Sequence, residues 1–140
     1  YNNFIEMDRK SIIRSCKKHM DHFDVRPDNP LLRTSLFSGG NQQKLVVARE
    51  LERDPNLLVV GQPTRGVDIG AIEFIHRQII AMRDAGKAVL LISVELDEIL
   101  SLSDRILVMF DGQIMGEILA KDADEREIGL LMAGVRKEAA

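Results

Sequence analysis

The chain has 140 residues, 45% of them hydrophobic and 29% charged, with a formal net charge of −3 and a pI of about 5.6. That is the balance of one water-soluble domain with enough apolar material for a core, and it argues against a non-specific nucleic-acid binder. No apolar run reaches the roughly 20 residues needed to cross a bilayer, and the polar start shows no signal peptide. The single cysteine, Cys16, excludes an internal disulfide and fits a reducing compartment.

From about Phe4 to Phe23 the pattern reads as a helix, with Ile5, Ile12, Cys16, Met20 and Phe23 recurring every three to four residues. Cys16, His19 and His22 are spaced three apart, which invites a metal site. At about 100° per residue, however, Cys16 and His22 drift apart, and no fourth ligand is evident. A core cysteine beside surface histidines is the better reading. Asp24 to Leu36, with Pro27, Asp28, Asn29 and Pro30, reads as a loop.

Phe37-Ser38-Gly39-Gly40-Asn41-Gln42-Gln43-Lys44 then precedes an amphipathic run to about Arg53, in which Lys44, Val47, Ala48 and Leu51 share a face. Ser38 is placed to cap the helix, and Gly39 and Gly40 permit close approach to the backbone. Free amides and the positive end of the helix dipole converge there, an arrangement that suits phosphate. Asp54-Pro55-Asn56 stops the helix.

Leu57-Leu58-Val59-Val60 and Ala88-Val89-Leu90-Leu91-Ile92 are continuous apolar runs between turn residues, read as strands buried on both faces of a parallel sheet. Between them Asp68 is the candidate N-cap of a helix to about Ala85, with Ile72, Ile75, Ile79 and Met82 on one face, Gly86 at its end and His76 partly exposed. Glu95, Asp97 and Glu98 read as a solvated acidic first turn of a further helix, not as catalytic carboxylates. Arg105–Phe110 and Gln113–Leu119 flank Asp111-Gly112, a hairpin signal. Asp124 and Glu127 form a capping-box pattern ahead of a last helix with Ile128, Leu131, Met132 and Val135.

The eight-residue string from Phe37 to Lys44 resembles the signature loop of ABC-transporter ATPases, in the variant of simple-sugar and nucleoside importers. The downstream segments resemble the same family in order, over roughly four-fifths of the chain. The resemblance implies an α/β fold: part of a P-loop NTPase core, parallel strands with flanking helices, and a C-terminal hairpin. Residues 1–37 would be the end of the helical subdomain, 38–120 the signature helix and core, and 121–140 a C-terminal helix. It implies that Ser38, Gly39, Gly40, Asn41 and Gln42 contact an ATP held by the opposite ATPase half, and that Asp68 touches that half across the dimer. Membrane-embedded permease subunits and a peripheral position on the cytoplasmic face are implied partners and place.

Three positions depart from the family. Where it has Asp-Glu after the first strand, which hold magnesium and polarise water, this chain has Gly61 and Gln62. Where it has a phosphate-contacting histidine, this chain has Val94. Neither glycine nor an amide replaces a carboxylate, and losing a general base costs about 10²- to 10⁴-fold in rate. No G-x-x-x-x-G-K-[ST] occurs either, so the chain is expected to hold no Mg-ATP, to be inactive alone, and to read as the later part of a second ATPase half. The absent first strand would lie between Ala88–Ile92 and Arg105–Phe110, leaving edges prone to self-association. A nucleoside importer fits the Gln-Pro-Thr-Arg-Gly and Leu-Asp-Glu-Ile-Leu runs, with a ribose- or galactose-type sugar importer next. The competing classes are a structural or regulatory interaction module and a non-transport ABC ATPase.

Overall fold

The computed structural model describes residues 2–3 and 6–135, with side-chain detail from Asp8 onward. Two short strands, β1 (Asn2–Asn3) and β2 (Glu6–Met7), pair antiparallel ahead of α1 (Arg9–His22). The first helix is therefore shorter than the spacing suggests. Asp8 caps it by accepting from the Ser11 amide at 3.1 Å, which fixes the start at Arg9; Phe4 and Ile5 lie outside the described residues. The Ser11 hydroxyl and amide hold the Asp8 carboxyl below the usual carboxylate range.

The chain divides within β4 into two compact units, the first ending at Leu90 and the second starting at Leu91. In the first, α2 (Gly39–Leu51), β3 (Leu57–Gly61) and α3 (Ile69–Asp84) follow in order and lead into β4 (Ala88–Ile92), whose last two residues, Leu91 and Ile92, fall in the second. β3 and β4 are neighbouring parallel strands, and a sixteen-residue helix supplies the long crossover that such a pair requires. The periodic faces become the core: Met20 of α1 and Phe23 just past its end, Ala48 of α2, and Ala71, Phe74, Ile75, Ile79 and Met82 of α3 are buried. Phe23 meets Phe74 edge-on, with centroids 6.3 Å apart.

The strands are not buried on both faces. Leu57 and Val59 are 56% and 58% exposed, and Leu90 and Ile92 50% and 54%, while the alternate residues are half-buried. Burial alternates along both strands, so an uninterrupted apolar run acquires the period-two pattern of a half-covered strand.

In the second unit, α4 (Leu96–Leu102) leads to β5 (Arg105–Phe110) and β6 (Gln113–Leu119), then α5 (Glu125–Met132). Asp111 and Gly112 have φ of +46° and +73°, the left-handed pair of a two-residue hairpin turn. The register runs from Phe110↔Gln113 to Arg105↔Leu119, with a bulge at Val108/Met109. Ile106 and Val108 pack on Ile128 and Leu131. Asp124 accepts from the Glu127 amide at 2.9 Å.

Two expectations fail here. Glu98 is 4% exposed, so it is a buried carboxyl on α4 rather than part of a solvated cluster: an acidic first turn favours the helix dipole whether or not packing covers it. Met132 and Val135 are exposed: Met132 falls off the face that Ile128 and Leu131 bury, and Val135 lies beyond the end of α5.

Candidate functional site

The arrangement of the first unit converges on the N-terminus of α2. Ser38 is extended (φ −60°, ψ 158°) and its Oγ accepts from the Asn41 amide at 3.4 Å and from Asn41 Nδ2 at 2.9 Å. Gln42 donates its amide to the Ser38 carbonyl at 2.9 Å and its side chain to the Phe37 carbonyl at 2.8 Å. The amides of Gly39 and Gly40 precede the first intrahelical acceptors, so helix geometry leaves them for an external one. Ser38 and Gly39 are exposed; Gly40 is buried.

The two glycines have different reasons to be there. A Cβ on Gly40 would sit 2.8 Å from Asp68 Oδ2 and 2.9 Å from the Ala71 Cβ, so α2 approaches the start of α3 where only glycine fits. Gly39 has the Gly66 carbonyl at an ordinary 3.4 Å and nothing else close, which leaves it open to a ligand. The loop after β3 thereby brings Asp68 beside the signature segment. Asp68 caps α3 by accepting from the Ala71 amide at 2.9 Å.

The other singled-out residues lie elsewhere. Gly61 ends β3 with open space around its Cβ position, and Gln62 follows with φ +51°. Val94 is 63% exposed in the segment between β4 and α4, in the second unit. None of the three presents a carboxylate or an imidazole.

Cys16, His19 and His22 do not converge: His19 Nδ1 is 2.7 Å from Glu52 Oε1, and its Nε2 is 3.2 Å from Ser15 Oγ. His22 instead sits edge-on to Phe23 at 4.9 Å. Among the described residues no group of three or more ligand-type side chains could hold a metal. Cys16 is half-buried rather than core; burial, then the nearby Asp28, pushes its thiol up.

Sequence reasoning missed what anchors the signature helix. The Lys44 side chain is largely buried, with Nζ 3.0 Å from both the Asp24 carbonyl and Asp24 Oδ2 and 4.9 Å from the Phe74 ring centroid. That hydrogen bond, reinforced by the ammonium charge, holds the Asp24 carboxyl below its ordinary range. Asp24 takes a left-handed φ of +48° just past the end of α1, and the next amide but one, that of Arg26, donates to Asn41 Oδ1 at 2.6 Å. The signal available was a lysine on an otherwise apolar helix face, which requires a partner.

Parallel strands joined by a helix, preceded by a serine-capped, glycine-rich helix N-terminus, make up part of an α/β fold of the ABC-type P-loop NTPase class. The fold agrees with a dimeric bacterial ABC transporter cassette (22% identical, TM-score 0.66, covering 86% of this chain and 51% of that one). It agrees equally with a nucleotide-free ATP-binding cassette from an ABC transporter (25% identical, TM-score 0.68, 95% and 50%). No family model matches the chain.

The chain belongs to the ABC-transporter ATPases, and its sequence relatives are import ATP-binding proteins. It is 52% identical over 128 residues to the nucleoside import ATP-binding protein NupA of Lactococcus lactis, covering 91% of this chain and 25% of that protein. It is 50% identical over 127 residues to the guanosine import ATP-binding protein NupO of Bacillus subtilis (90% and 25%). The glucose import ATP-binding protein TsgD13 of Haloferax volcanii is 44% identical over 136 residues (96% and 25%). The chain thus spans about a quarter of the length of these relatives.

Proposed function

We propose that this chain is part of the ATP-binding subunit of an ABC importer for nucleosides or simple sugars. It donates its signature loop to an ATP held by the opposite ATPase half. The observation that carries this is the N-terminus of α2: the exposed Ser38 and Gly39 present free amides and a hydroxyl on the positive end of a thirteen-residue helix. Developing charge on a phosphate gripped elsewhere would be stabilised by these fixed donors. Asp68, held beside Gly40, faces the same opposite half.

The chain's own site is degenerate. Gly61, Gln62 and Val94 supply neither a magnesium ligand nor a general base nor a phosphate donor. Magnesium and the phosphate-gripping lysine then come with the nucleotide of the partner half. The relatives' names favour a nucleoside cargo over a pentose or hexose, the two stronger matches being nucleoside and guanosine import proteins. Permease subunits in the membrane and a peripheral cytoplasmic position follow from the same reading, and no helix among the described residues is long and apolar enough to cross a membrane. By itself the chain self-associates through the uncovered apolar face and edges of β3 and β4.

Titrating the 140-residue chain with Mg-ATP in a calorimeter tests the degenerate half of this reading. No binding heat is expected. Binding tighter than about 100 μM, roughly −5.5 kcal/mol, would mean that the chain carries a phosphate site of its own. In the longer protein, Gly61→Asp with Gln62→Glu should change turnover little unless Val94→His is added. A large gain from the carboxylates alone would contradict the assignment.

A further inference from the structure

Asn41 stands between two groups whose chemistry leaves its amide no choice of orientation. The Arg26 backbone nitrogen is only a donor, so the atom facing it at 2.6 Å is the amide oxygen. The amide nitrogen must then face Ser38 Oγ, at 2.9 Å, and Ser38 must accept. The Asn41 backbone amide points at the same oxygen at 3.4 Å. With both acceptor positions of Oγ occupied from the protein side, the hydroxyl proton is turned away from the helix.

The same stretch is fixed a second time, one helical turn further on. Lys44 lies three residues after Asn41, on the same side of α2, and is bonded to both the carbonyl and the carboxylate of Asp24. Between Asp24 and Arg26, Val25 is fully buried, with its amide bonded to the Met20 carbonyl at 2.8 Å. Residues 24–26 are therefore a rigid extension of the end of α1, gripping α2 at Asn41 and Lys44.

We propose that Asn41 is a positioning residue which, oriented by the Arg26 backbone amide, fixes the Ser38 hydroxyl as a donor toward the phosphate of the opposite half. This rests on the cross-dimer reading above. Without the Asn41 side chain Ser38 regains a free lone pair, and its proton can turn inward or rotate, so the donor is no longer pre-set when phosphate charge develops. Residues 24–26 thereby act on Ser38 without touching the nucleotide.

The test is a double-mutant cycle in the longer ATPase with its permease partners, measuring kcat and KM for Mg-ATP. Ser38→Ala and Asn41→Ala should each lower kcat, by about tenfold or more, with a smaller change in KM. The double variant should be no slower than Ser38→Ala alone, because in this proposal the Asn41 side chain, held between Arg26 and Ser38, acts through that hydroxyl and not by the direct ATP contact that the family resemblance implies. Asn41→Gln, which carries the same amide one methylene further out, should recover part of the loss.

Losses that multiply, or no rescue by glutamine, would overturn the relay and make Asn41 a merely structural cap. Full turnover in Asn41→Ala with Ser38→Ala impaired would overturn the relay alone and leave the cross-dimer reading standing. Full turnover in Ser38→Ala would remove both.

Discussion

Lys44 is a cation seated in an apolar face, and the protein meets the cost of that burial with two bonds to Asp24 and the face of Phe74. Because the pair lowers the Asp24 carboxyl, its contribution to stability has a definite pH signature. It is fully present above the ordinary carboxylate value of 3.8 and disappears as pH falls through the lower folded value. The stability advantage of the native chain over Asp24→Asn should therefore be constant near neutrality and close in acid. Denaturant titrations at a series of pH values would show it, and a gap that widened in acid would contradict the pairing. Gly40 makes a steric prediction of the same scale. A Cβ there would lie 2.8 Å from Asp68 Oδ2 and 2.9 Å from the Ala71 side chain, so Gly40→Ala should cost about 1–3 kcal/mol as overpacking, read from the urea midpoint. Gly39→Ala, which meets only the Gly66 carbonyl at 3.4 Å, should cost much less.

At the level of elements, the hairpin offers the sharpest check. Gly112 sits at φ +73° in a two-residue turn, and Gly112→Ala should destabilise the second unit by roughly 1–2 kcal/mol, the cost of a side chain in the left-handed region. Loss of less than a few tenths in a thermal or chemical melt would mean the turn is not the register-setting device. This hairpin and the helix caps at Ser38, Asp68 and Asp124 were legible in the sequence, because each depends on a few adjacent residues whose backbone preferences are strong. What was not legible depends on distant partners. The Lys44–Asp24 bond spans 20 residues, and the Arg26–Asn41 bond spans 15. The half-exposure of β3 and β4 could not be read from Leu57–Val60 or Ala88–Ile92, since an apolar run records what can be buried, not what covers it. Glu98 shows the reverse error: an acidic first turn suggests solvent, and packing puts that carboxyl inside.

For the molecule as a whole, the proposed self-association rests on the uncovered face of β3 and β4. Leu57, Val59, Leu90 and Ile92 stand on one side of a two-stranded sheet, half or more exposed, which is a surface that proteins rarely leave bare. Sedimentation should show concentration-dependent association of the 140-residue chain, and Val59→Lys with Leu90→Lys should suppress it. A monodisperse monomer across the micromolar range would contradict that expectation. On the proposed reading, the signature segment gives donors to a nucleotide that the degenerate Gly61, Gln62 and Val94 positions do not hold. The most direct test is ATP turnover by the longer protein carrying Ser38→Arg. A bulky cation in place of the Ser38 hydroxyl should abolish most hydrolysis, although the proposed reading puts Ser38 in the half without catalytic groups. Unchanged turnover would contradict the cross-dimer role and leave the chain a structural or regulatory module.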